Sequence, residues 1–238
     1  GGIYMRNILI TGGSRGIGAA CVREFSDERV FMIYNKNEEK ALKLCSETGA
    51  IPVKCDVSNA HEVQSAADFI HSRYGGIDVL INNAGIAQIK MFTDISENDW
   101  DNIFDVNIKG MYLVTHAFIK DMINKKYGKI VNVSSMWGIT GGSCEVHYSA
   151  SKAAVIGFTK ALAKEMGLSG INVNCVAPGV IDTDMNGELT DEDFEVLKEE
   201  TPLNRIGTPE EAAKLIHFLA SDNAAFITGE IVKIDGGI

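Results

Sequence analysis

Tyr148 and Lys152 stand four residues apart in the stretch "YSASK". On a helix that spacing places two side chains on one face, about one turn apart. A free tyrosine titrates near ~10, too high for easy proton exchange at neutral pH, and a cation held close favours the phenolate and lowers that value. The pair therefore reads as an acid and the cation that loosens its proton, although a phenol and an ammonium at this spacing also occur together on ordinary helix surfaces. Ser135, thirteen residues upstream, closes an apolar run and offers a hydroxyl, and Asn107 lies further upstream in "DVNIKG".

A second chemical element sits near the start of the chain. An apolar run leads into "TGGSRGIG", Thr11 to Gly18, with glycines at Gly12, Gly16 and Gly18. Glycines where a strand turns into a helix let backbone N–H groups approach a pyrophosphate, and the helix N-terminus favours the negative charge. The spacing is G-x-x-x-G-x-G rather than G-x-G-x-x-G, so its position, after the first strand and opening the first helix, carries the reading. Ser14, Arg15 and Ile17 complete the loop. The second strand ends in "YNKN", with Asn35 and Lys36 where a dinucleotide fold often carries a carboxylate for the ribose 2′-hydroxyl. Two cations, Arg15 and Lys36, and no carboxylate fit a 2′-phosphate, so the expected cofactor is NADP(H).

The elements that must position these groups are legible from hydrophobic pattern. Apolar runs at 5–11, 29–34, 50–55, 77–83, 128–135, 171–177 and 230–235 read as strands. Helical periodicity occupies 16–27, 37–48, 59–74, 97–123, 146–167 and 209–220, the last opened by Thr208 and Pro209. Continuous apolar strands alternating with helices predict an α/β, doubly wound Rossmann-type domain over 5–238, with about seven parallel strands and helices on both faces. In such a sheet ligands bind outside the C-terminal strand ends, where Ser135, Tyr148, Lys152 and Asn107 would converge beside the nicotinamide half of a dinucleotide. The acidic stretch 184–207 is too long for a plain turn and reads as a substrate lid, with the loop 136–147 shaping the other side of the pocket. His147, next to Tyr148, reads as a pocket or helix-start residue.

Composition excludes several classes of protein. The chain has 238 residues, 45% hydrophobic and 23% charged, which is ordinary for a globular protein. A net charge of −10 argues against nucleic acid as a general partner. No run of apolar residues is long enough for a membrane span. The five cysteines are odd in number and widely spaced, without a C-x-x-C, which points to reduced thiols and a cytoplasmic location. The five histidines form no ligand spacing, so no catalytic metal is expected. The "GGIY" ahead of Met5 reads as an expression-vector remnant, and no signal peptide is expected.

"TGGSRGIG", "CDV", "NNAG", "VSS", "YSASK" and "APGVIDT", in this order and spacing, resemble the short-chain dehydrogenase/reductase family from about Met5 to Gly237. The resemblance implies a catalytic tetrad of Asn107, Ser135, Tyr148 and Lys152. Tyr148 would donate the proton, Ser135 would hold the substrate oxygen, and Lys152 would also hold the nicotinamide ribose. Asn107 would kink its helix and hold a water of a proton relay. It implies further cofactor contacts at Asp56 and Val57 (adenine), at Asn83, Ala84 and Gly85 (adenosine ribose), and at Pro178, Gly179, Ile181 and Thr183 (carboxamide and phosphates). Within the family, "PLNRIGTPEEAA" and "ITGEIVKIDGG" look most like the bacterial 3-oxoacyl-carrier-protein reductases. Such a resemblance implies a homotetramer (or dimer) reducing a 3-oxoacyl thioester with NADPH, with Lys125, Lys126 and Lys129 available to an acidic carrier. "SSMWGITGGSCEVHYS" is also similar to the elongation factor P aminopentanone reductase subgroup, whose ketone sits on a modified protein lysine. Another small ketone or alcohol substrate, and a member that has lost catalysis and only senses cofactor, are the remaining alternatives; the intact tetrad argues against the last.

Overall fold

The computed structural model describes residues 5–184 and 190–238. Seven strands form one parallel sheet in the order β3-β2-β1-β4-β5-β6-β7. They are β1 Asn7–Thr11, β2 Arg29–Tyr34, β3 Ile51–Lys54, β4 Val79–Asn82, β5 Gly128–Val133, β6 Ile171–Pro178 and β7 Ile231–Ile234. The order reverses between β1 and β4, and the crevice at such a switch point is where a doubly wound sheet binds its ligand.

Both faces of the sheet are covered, which is why β1, β4 and β5 are buried at every position rather than at alternate ones. On one face Ile8, Ile10, Val30 and Met32 pack with the buried residues of α1 (Gly16–Glu24), α2 (Glu38–Thr48) and α9 (Pro209–Leu219). On the other face Leu9, Phe31, Leu80 and Ile130 pack with α3 (Ala60–Tyr74), α5 (Gly110–Lys125) and α7 (Val146–Met166). The alternation Ile8, Leu9, Ile10 between the two clusters is the period-two geometry of a strand.

Helix ends follow local chemistry. Asn59 accepts from the N–H groups of His61 and Glu62 at the start of α3, and Gly75 ends that helix in the left-handed region. Thr208 and Glu211 form a reciprocal capping box around Pro209 at the start of α9. The 97–123 pattern, read as one helix, is α4 (Glu97–Phe104), a π-helical turn over Asp105–Lys109, and α5. Hydrophobic spacing does not distinguish a π turn from the α-helix around it, because the inserted residue shifts register only locally. A short helix, α6 (Trp137–Thr140), occupies part of the loop expected at 136–147. In the stretch expected to form a lid, α8 spans Asp191–Glu200 and Gly207 bridges to Ile181. Residues 185–189 of that stretch lie outside the described residues.

The three lysines expected to dock a carrier are placed against that expectation. Lys125 ends α5, Lys126 caps it and Lys129 is the second residue of β5, at the N-terminal edge of the sheet and opposite the end that carries Ser135. Lys125 pairs with buried Asp78, while Lys129 is 3% exposed and donates to Asn172. Two of the three are thus committed within the fold, and all lie at the far end from Tyr148. All five cysteines are free thiols, and no described helix is long and apolar enough to cross a membrane.

Candidate active site

Four elements deliver the chemical side chains to the C-terminal edge of the sheet. Ser135 follows β5, Tyr148 and Lys152 occupy the first turns of α7, Asn107 sits in the π turn, and Gly85 lies in the loop after β4. All four side chains are buried: Asn107 is 2% exposed, Lys152 5%, Tyr148 7% and Ser135 8%. The Lys152 ammonium lies 5.7 Å from the Tyr148 ring centroid and donates to the Val133 carbonyl at 2.9 Å. Ser135 hydrogen-bonds the Tyr148 phenol. A Cβ at Gly85 would stand 3.2 Å from Asn107 Oδ1 and 3.3 Å from Lys152 Nζ, so the chain passes close over both groups.

Asn107 is fully engaged. Its Oδ1 accepts from Ile86 N–H at 2.8 Å, and its Nδ2 donates to the Ile86 carbonyl and to Ser151 Oγ. The π turn swings this amide onto the β4 loop and α7 together. Ser151 Oγ in turn donates to the Tyr148 carbonyl, and Ser134 Oγ donates to the Lys152 carbonyl. Beneath them a buried amide chain crosses the sheet: Asn82 Nδ2 donates to Asn132 Oδ1 and to Thr115, and Asn132 Nδ2 donates to Thr159. Asn82 and Asn132 are register partners on β4 and β5, a pairing invisible in a linear sequence.

The electrostatics differ from the expectation that Lys152 lowers the Tyr148 pKa. Burial pushes the Tyr148 phenol up to about 12; the Ser135 hydrogen bond works the other way and the Glu145 charge adds to the rise. Burial also pushes Lys152 down to about 8. Desolvation dominates both groups because each is almost wholly removed from water: it outweighs the Ser135 hydrogen bond at Tyr148 and the Cys175 charge at Lys152. The phenol therefore keeps its proton throughout the neutral range, and most Lys152 side chains remain cationic at pH 7.

The glycine loop has the form that a pyrophosphate requires. Gly12 has φ +65°, and a Cβ there would lie 2.9 Å from Ala84 Cα. Asn83 Nδ2 holds the turn by donating to the carbonyls of Thr11 and Gly12, while Thr11 Oγ1 accepts from the N–H groups of Asn83 and Ala84. Ser14, Arg15, Gly16, Ile17 and Gly18 open α1, and Gly16 faces Thr183. Arg15, Asn35 and Lys36 are exposed around the end of β2, and among the described residues neither cation is in an ion pair. Asp56 accepts from Ser58 N–H and Oγ; burial opposes its ionisation, but these bonds, Asn35 and the Lys36 charge outweigh it and hold the carboxyl low. Val57 packs against Gly110. Pro178 ends β6, Gly179 donates its N–H to Ile234, and Ile181 is buried. The open turn, the uncovered cations and the side-chain-free path at Gly85 fit a phosphorylated dinucleotide laid across the crevice.

Comparison with known proteins agrees with this geometry. The family model described as Enoyl-(Acyl carrier protein) reductase, a short-chain dehydrogenase/reductase model, matches residues 12–238. The chain belongs to the short-chain dehydrogenase/reductase family. This family member is accordingly an oxidoreductase acting on CH–OH or C=O groups. It is 41% identical over 236 residues to the 3-oxoacyl-(acyl-carrier-protein) reductase of Thermotoga maritima, covering 97% of this chain and 96% of that protein. The solved 3-oxoacyl-(acyl-carrier-protein) reductase of Brucella melitensis superposes with a TM-score of 0.91 at 34% identity, covering 98% of this chain and 91% of that one. A second Brucella melitensis structure, described as a ribose-5-phosphate isomerase, also reaches 0.91, at 32% identity over 99% of this chain and 93% of that one. Likeness of fold thus does not choose the reaction, and the site must.

Pattern reasoning missed the residues that brace the site. Asn132, Gln88 and Asp99 stand in none of the quoted motifs, and Asn82, Ser134 and Ser151 stand in "NNAG", "VSS" and "YSASK" with no bracing role read for them. Gln88 and Asp99 become visible only when the loop after β4 folds against His147.

Proposed function

We propose that this oxidoreductase reduces a ketone to a secondary alcohol with NADPH, and that the ketone is a 3-oxoacyl thioester carried on acyl carrier protein or coenzyme A. The observation that carries the reading is the convergence of Ser135, Tyr148 and Lys152 on one buried spot beside Gly85 and Asn107, at the switch point of the sheet. The similarity to 3-oxoacyl-carrier-protein reductases along nearly the whole chain supports the substrate.

The reduced nicotinamide, when bound, supplies the hydride that the carbonyl carbon accepts. Tyr148 gives its phenolic proton to the carbonyl oxygen as that oxygen gains charge, and Ser135 holds the same oxygen by a hydrogen bond. A phenol that stays protonated at neutral pH suits a donor. Lys152 stabilises the phenolate left behind and keeps donors free for the ribose hydroxyls, since the Val133 carbonyl takes only one of its three. Asn107 fixes the Ile86 backbone and Ser151 around them. The glycine turn with Gly12, Gly16 and Gly18 takes the pyrophosphate, and Arg15 and Lys36 take the 2′-phosphate.

One observation favours a second substrate. Glu145, three residues before Tyr148, is half-buried, and among the described residues its carboxylate has neither hydrogen bond nor ion pair. Burial raises its pKa, and its charge reaches Tyr148. An unpaired carboxylate beside the site suits a ketone carrying a cation, as on a modified lysine of elongation factor P. The deciding experiment follows NADPH oxidation over acetoacetyl thioesters, simple ketones and the modified factor. Fast turnover of the thioesters upholds the first reading. Turnover of the modified factor alone, lost in Glu145→Gln, replaces it with the second.

A further inference from the structure

A closed circuit of hydrogen bonds ties the loop after β4 to the start of α7. Gln88 Nε2 donates to Asp99 Oδ1 at 3.1 Å, and Lys90 Nζ donates to Asp99 Oδ2 at 2.8 Å. Ser96 gives both its N–H and its hydroxyl to Asp99, as part of the capping box of α4. Gln88 Oε1 meets His147 Nε2 at 2.9 Å, and Lys90 N–H donates to the Cys144 carbonyl at 2.7 Å.

The proton positions in this circuit follow by elimination. Asp99 is ionised, because the hydrogen bonds from Lys90, Ser96 and Gln88 hold its carboxyl far below the usual range. A carboxylate only accepts, so the Gln88 amide must point its nitrogen at Asp99 and its oxygen at His147. His147 then must carry its proton on Nε2. Nδ1 is left with a bare lone pair, and this nitrogen is buried with no hydrogen-bond partner among the described residues. Protonating the ring would place an N–H there with no acceptor. Burial disfavours the cation most; of the charges around the ring, Asp99 favours it and Lys90 opposes it. Gln88, Cys144, Glu145 and Tyr148 complete the polar and titratable neighbours along the chain, and the imidazole is 0% exposed.

We infer that Gln88 and Asp99 are positioning residues: through His147 they latch the loop 86–96 onto the first turn of α7 and so set the affinity for the ketone. The loop bears Ile89, Met91 and Phe92, all exposed, and Met91 Sδ meets Cys144 Sγ at 3.4 Å. Apolar side chains at the mouth of the site have little of their own to fix them. The latch supplies a rigid wall for the substrate, next to the residue that carries the phenol. This inference rests on Tyr148 being the proton donor, and cofactor binding is measured separately so that the two claims fail differently.

The test compares Gln88→Met with Gln88→Glu, each assayed for ketone KM, kcat and NADPH affinity by fluorescence from pH 5.5 to 8.5. Gln88→Met keeps the shape and loses both hydrogen bonds; its ketone KM rises about tenfold at every pH, with NADPH affinity unchanged. Gln88→Glu faces Asp99 with a second carboxylate. It regains near-wild-type KM at the acid end, where the new carboxyl is protonated and donates, and loses about tenfold at the alkaline end. His147→Gln, which can still donate to Gln88, stays within about threefold of wild type. Wild-type KM in Gln88→Met, a pH profile of Gln88→Glu parallel to wild type, or loss of NADPH binding in both variants would overturn the latch. A wild-type enzyme that turns over no ketone but binds NADPH would instead overturn the proton-donor reading.

Discussion

Tyr148 and Lys152 are governed by how deeply the fold buries them. The phenol is pushed up to about 12 and the ammonium down to about 8, so Lys152 is the group that titrates within the working range of the site. As pH rises through about 8 the free protein loses the cation that would support the phenolate. We expect kcat/KM for the ketone to fall above about pH 8, and Lys152→Met to abolish the limb together with most of the activity. His147 contributes in the opposite pH range. Its folded-state pKa lies below the ordinary 6.5, so on acidification the unfolded chain takes up the proton first and stability falls as pH drops below about 6.5. His147→Gln should flatten that acid slope in denaturant titrations at pH 5 and 7. The i, i+4 spacing of "YSASK" made the pair legible in sequence. The direction of the Tyr148 shift was not legible, because burial is a property of the assembled elements and Lys152 is desolvated by the same packing.

The elements around the site are held by close backbone contacts. Gly138 of α6 packs onto α7, where an added Cβ would lie 2.7 Å from the Lys152 carbonyl carbon and 2.8 Å from Ser134 Oγ. Gly138→Ala should therefore destabilise the fold by about 1–3 kcal/mol and lower kcat by displacing Lys152, read from denaturant midpoints and initial rates. Strands and amphipathic helices were legible because their apolar periods are long and regular; β2, Arg29–Tyr34, was placed to the residue. The π turn at Asp105–Lys109 and the short α6 were not, since each departs from a regular period for about a single turn. The family resemblance implied that Asn107 kinks its helix, and Asn107 does lie in the π turn, but its three hydrogen bonds to Ile86 and Ser151 were not legible in "DVNIKG".

Across the whole molecule, sheet order decides which charges reach which ligand. The switch between β1 and β4 brings the glycine turn, the end of β2 and the end of β5 to one edge, while Lys125, Lys126 and Lys129 remain at the other. Strand alternation predicted the doubly wound class but not that the loop after β4 folds against the start of α7, and a lysine run that looked like a docking patch is partly a buried brace. At the cofactor edge, the double substitution Arg15→Glu and Lys36→Glu should weaken NADPH by at least about tenfold and leave NADH within about threefold, measured as KM at fixed ionic strength. The most direct test of the whole account is NADPH oxidation by wild type and Tyr148→Phe on the same ketone, with cofactor binding followed by fluorescence. The account predicts that Tyr148→Phe binds NADPH as wild type does and loses about a thousandfold in rate. A Tyr148→Phe enzyme that keeps a tenth of the wild-type rate would contradict it.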